Sequence, residues 1–123
     1  MNTIHAAVGF AIVGGWFVFF VWGLIGWLAK RDPGAWYWRF LAFLQLLLAL
    51  QLAAGVVLLA AGRTQSLLHY AYGLLFPVIA VVVAHVLARG MEQGRDALLV
   101  FVIGSFVVFG LTLRALATGL GLG

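Results

Sequence analysis

Cysteine is absent from the 123 residues. Its absence excludes disulfides, iron–sulfur clusters, thiolate metal sites and thiol catalysis, and leaves no thiol usage from which to read a redox compartment. Acids are almost as scarce: Asp32, Glu92 and Asp96 are the full set. No carboxylate pair for general acid–base work can be assembled and no nucleophile–base set stands out, so hydrolytic catalysis is not expected; whether the chain is an enzyme stays open, with electron transfer rather than hydrolysis expected if it is redox-active. Charged residues make up 8% of the chain, where a soluble domain carries roughly a quarter.

What is present is apolar, 66% of all residues. A soluble domain of this length could not bury so much, and the natural solvent is a bilayer. The net charge of +4 would suggest nucleic acid in a soluble protein. Here the seven Lys and Arg cluster at the ends of apolar runs, which is membrane anchoring, and no nucleic-acid partner is expected.

A helix crossing about 30 Å of hydrocarbon needs roughly 20 apolar residues. Four runs qualify, over about residues 4–29, 37–61, 66–88 and 97–117. "KRDPGAWYWR", "GRTQ" and "RGMEQGRD" interrupt them, and "TGLGLG" ends the chain. The first run is too long for a signal-peptide core and lacks a basic flank, so no cleavable signal is expected. The runs show no period-2 alternation, and in lipid each backbone polar group must be satisfied internally. The expected fold is therefore all-α: one domain over 1–123, an integral membrane antiparallel four-helix bundle with short connections.

Loop charge predicts orientation. Lys30, Arg31, Arg39, Arg89 and Arg95 lie on one side, Arg63 and Arg114 on the other. The basic side is expected in the cytoplasm, of a prokaryotic cell membrane, with both termini extracytoplasmic. Trp27, Trp36, Tyr37 and Trp38 then form an aromatic belt at the inner interface, where Asp32, Glu92 and Asp96 also fall. Ala7, Ala11 and Gly15 on the first helix, and Gly104 with Gly110 on the fourth, read as close-packing positions.

Ionisable residues inside a membrane are functional candidates. His5 opens the first helix and His69 the third; these helices run parallel, so the two imidazoles share a depth near the outer face. Gly9 and Gly73 each follow their histidine by four residues, one turn along the same side, leaving room for a flat ring. Arg63 and Arg114 lie at the same end with no acid to pair with, where heme propionates would supply carboxylates; snorkelling to lipid phosphates is the other reading. Three accounts of the histidine pair stay open: axial ligation of heme iron, another metal, or two interfacial polar residues. Copper and zinc usually require three or four ligands. His85, sixteen residues after His69, falls about 160° around a straight helix from it, unless Pro77 bends the helix between them. It reads as structural, or as a proton or quinone contact. Gln45 and Gln51 read as packing residues, one crossing the bundle, with a quinone headgroup as the other use.

Three stretches taken together resemble a known family. "IHAAVGFAIVGGW" opens a helix with histidine, "WRFLAFLQLLLALQLAAGVVLL" follows a basic loop, and "LLHYAYG" opens another helix with histidine. Over about residues 3–89 this order is similar to one heme-binding half of the heme A synthase family. The resemblance implies a four-helix bundle with His5 and His69 as the axial pair of heme b. Two departures argue against heme A synthesis by this chain alone: Ala6 stands where the family usually has Arg, and the second half and the outer-loop acid are missing. The expected function is a small b-type cytochrome-like membrane protein for electron transfer or heme handling near the outer face. The alternatives are a structural accessory subunit of a larger respiratory membrane complex, with a homo-oligomer as a further possibility for assembly, and a small transporter or quinone-binding protein.

Overall fold

The computed structural model describes residues 3–62, 67–91 and 94–120, with only the backbone given for Leu67 and Leu68. Arg63 and Glu92 lie outside the described residues. Helix α1 spans Thr3–Leu28 and α2 spans Ala35–Ala60. Helix α3 is composite: α-helical over Leu67–Tyr70, π-helical over Ala71–Leu75, and α-helical again over Phe76–Arg89. Helix α4 spans Gly94–Gly119. All four spans are long and apolar enough to cross a membrane, and the described residues contain no strand. This is an all-α four-helix bundle with the makeup of an integral membrane protein.

The packing is not an even ring. Helices α1 and α4 form the central pair; α2 packs on α1, and α3 packs on α4. Helices α2 and α3 scarcely meet, which leaves a seam along one side. In lipid no hydrophobic drive pulls helices together, so close approach depends on small residues. Gly15 supplies one such point, since an added Cβ would sit 2.5 Å from Leu44 Cδ2. Gly23 supplies another: its Cβ would lie 2.5 Å from the Tyr37 hydroxyl and 3.0 Å from Val102 Cγ2. Gly104 approaches Ala84 of α3 in the same way. Ala7 and Ala11, read above as packing residues, face outward with Gly14, and Gly110 meets open space.

Gly23 admits an aromatic core near the basic end. Phe19 and Tyr37 stack with centroids 4.1 Å apart, Trp22 meets Tyr37 edge-on, and Trp38 meets both Tyr37 and Phe101. Tyr37 is therefore no belt residue: it is 0% exposed, whereas its neighbour Trp36 is 72% exposed. Trp27 and Trp38 are half-buried.

The π-turn has a local cause. Pro77 carries no N–H, and its ring would collide with the carbonyl four residues back. The chain widens instead, and the Phe76 N–H reaches Ala71 O, five residues back. Such single π-turns under-wind the helix. His69 and His85 consequently both contact α4, through Ala115 and Phe101 respectively, although a straight helix would set them about 160° apart.

If Gly23 is the point where α2 seats on α1, Gly23→Ala should cost about 1–3 kcal/mol by overpacking. The exposed helical Gly14, with nothing within 4 Å of its Cβ position, should gain about 0.5–1 kcal/mol on Gly14→Ala. Unfolding in mixed micelles, followed by circular dichroism, measures both.

Candidate functional site

The seam opens into a cavity of about 410 Å³ at the end of the bundle that holds both N-terminal histidines, within the usual range of roughly 300–1,000 Å³ for small-molecule sites. All four helices line it. His5 and Gly9 come from α1, Gln51 and Gly55 from α2, His69 and Gly73 from α3, and Thr112, Ala115 and Leu116 from α4. Leu48, Leu52 and Leu116 make its walls largely apolar.

The predicted pair is brought together. The rings of His5 and His69 lie with centroids 6.3 Å apart and planes inclined at 71°. His69 is held from behind. Its Nδ1–H donates to the Ala115 carbonyl at 2.8 Å, and Thr118 Oγ1 lies 3.2 Å from the same nitrogen while donating its own proton to that carbonyl. A carbonyl can only accept, so the proton sits on Nδ1 and the lone pair on Nε2. A hydrogen bond of this kind from behind fixes both the tautomer and the orientation of an imidazole. On the other side, Gln51 Nε2 donates to the His5 backbone carbonyl at 2.6 Å, tying the first turn of α1 to α2.

The glycines divide their work differently from the sequence expectation. Gly9 and Gly73 line the cavity, but each also brings its helix onto α4: added Cβ atoms would meet Leu116 and Ala115 at 3.4 Å. The glycine beside an imidazole is Gly55, whose Cβ would lie 3.7 Å from His5 Cε1. A signal for it was present, since Gly55 follows Gln51 by the same four-residue interval that separates Gly9 from His5. Thr118 and Ala115 were not legible, because they act across the bundle on His69.

Arg114 is exposed and stands over the Tyr72 ring at 5.8 Å; it does not line the cavity. Arg63 lies outside the described residues. His85 belongs elsewhere in the seam: its Nε2 is 3.0 Å from Gln45 Nε2, and its ring meets the edge of Phe101. Both glutamines thus cross between helices, Gln45 to α3 and Gln51 to α1. Among the described residues no three His, Cys, Asp or Glu gather as a metal-holding group.

In a ¹⁵N-detected histidine spectrum of protein carrying no added ligand, His69 should appear as the Nδ1–H tautomer, and Thr118→Val should weaken that preference. An Nε2–H signal for His69 would contradict the assignment. No family model, curated protein or solved structure matches the chain, and the functional reading rests on this geometry.

Proposed function

We propose that the chain is a small integral membrane heme-binding protein, b-type cytochrome-like, with His5 and His69 as axial ligands. Its role would be electron transfer or heme handling near the extracytoplasmic face, both termini lying on that side because the basic loops favour the cytoplasm. One observation carries the reading. The ring centroids of His5 and His69 are 6.3 Å apart across a largely apolar cavity, a separation at which the two imidazoles would hold one metal ion between them at the usual nitrogen–metal distance of about 2 Å.

The other residues fit the same group. The Nδ1–H tautomer of His69 leaves Nε2 as its basic nitrogen, the one that would hold the iron. Gly55, Gly9 and Gly73 keep side chains off the cavity walls. Leu48, Leu52 and Leu116 give the cavity apolar walls, and an apolar surround is one of the means by which a protein sets a heme potential. A bound heme would supply reversible one-electron chemistry. The chain's own part is to ligate, to orient His69 through Ala115 and Thr118, and to give the site an apolar surround. Arg63 and Arg114, the basic residues of the extracytoplasmic side by the loop-charge reading, are retained in the proposal as counter-charges for propionates.

Protein purified from heme-replete cells should be red, with a Soret band lost in His5→Ala and in His69→Ala. Gly55→Leu, which keeps both ligands and fills the space beside His5, should lower heme occupancy at least about tenfold, as disturbed ligand surroundings commonly do. A colourless wild-type protein overturns the proposal. It would leave the accessory-subunit reading, for which the outward-facing Ala7, Ala11 and Gly14 stripe offers a close-packing edge.

A further inference from the structure

A second cleft, of about 640 Å³, lies at the other end of the bundle, between the α1–α2 turn and the first turn of α4. Lys30, Arg31 and Arg95 line it together with Trp27, Trp38 and Leu98. Asp32 is the one acid among the described lining residues, and its Oδ1 accepts the Gly34 N–H at 2.8 Å. The lining is therefore cationic at its mouth and apolar at its floor, where Leu98 is buried.

Two details set this cleft apart from ordinary interfacial anchoring. The first is the way α1 ends. The Lys30 N–H bonds to Trp27 O at 3.2 Å and the Arg31 N–H to Gly26 O at 2.9 Å, and Lys30 takes a left-handed φ of 57°. This is the Schellman pattern, whose left-handed position is normally glycine. Helix α2 follows the norm with Gly62 at φ 84°. Helix α1 instead holds a lysine there, against the steric preference of an L-residue, and that lysine lines the cleft. Backbone tension of this kind collects where a side chain is needed at a fixed place. The second detail is Arg95. Its guanidinium lies over the Trp27 ring, 4.7 Å from the centroid. A cation–π contact holds the guanidinium beside the cleft without consuming its N–H donors, which remain suited to phosphate oxygens.

We propose that this cleft binds the phosphate headgroup of an anionic phospholipid, with Lys30, Arg31 and Arg95 as its cationic contacts and Trp27, Trp38 and Leu98 against the glycerol and upper acyl region. Free phosphate would use the same cations. The apolar floor at the end of two membrane-crossing helices selects an amphiphile.

The test is native mass spectrometry of the full chain released from micelles doped with equal phosphatidylglycerol and phosphatidylcholine. Wild type should retain one phosphatidylglycerol several-fold in preference to phosphatidylcholine. Arg95→Gln and Lys30→Gly should each cut that preference by about fivefold, the worth of one basic group near an anionic surface. Arg39→Gln removes a cation that stacks on exposed Trp36 outside the cleft, and should leave the preference unchanged. Lys30→Gly also guards against misfolding as an explanation, because glycine relieves the left-handed position: its thermal midpoint should rise while lipid retention falls. Equal loss in Arg39→Gln, no lipid preference in wild type, or displacement of phosphatidylglycerol by millimolar inorganic phosphate would each overturn the proposal.

Discussion

In hydrocarbon, helices gain nothing from hiding apolar surface from one another, so fit alone decides where they touch. The bundle depends on this constraint throughout. Where a glycine meets a large side chain, as Gly15 meets Leu44 and Gly23 meets Tyr37, helices close and an aromatic core forms. Where the described side chains leave the gap between α2 and α3 unfilled, a cavity remains. The tight end and the open end follow from one rule applied to different residues.

The histidine end adds a second requirement, that polar groups in a poorly hydrated place find partners. His69 meets it through a carbonyl of α4, and Gln51 meets it through the carbonyl of His5. Each bond crosses from one helix to another, so it fixes a side chain and a helix register together. The His69 ring of the pair, 6.3 Å from that of His5, is thus fixed by α4, and the backbone that carries His5 is tied to α2.

Helix number and length were legible because about 20 apolar residues in succession admit few other readings. Boundaries shifted where polar residues join a helix: α4 begins at Gly94 and not near residue 97, with Asp96 in its first turn, where a carboxylate favours the positive end of the helix dipole. The matched depth of His5 and His69 was legible from topology alone. Their partners were not, since Ala115 and Thr118 lie 46 and 49 residues away from His69 and carry no pattern of their own. Tyr37 misled because a tyrosine near a helix end looks interfacial; only the missing side chain at Gly23 lets it turn inward. Pro77 was visible, but its effect on His85 depends on a widened turn that residue spacing does not encode. The Gln45–His85 bridge, 40 residues apart, depends on that same turn.

The weak join between α2 and α3 bears on how the cavity could be reached. In a bilayer that wall would face the acyl chains, and among the described residues the Gln45–His85 bridge spans it lower in the seam. An apolar guest dissolved in the membrane could arrive sideways, in the plane of the lipid, without first crossing water. Its local abundance would then be set by partitioning into the bilayer and by two-dimensional diffusion, and its exchange would depend on how far two neighbouring helices part, with no loop having to open.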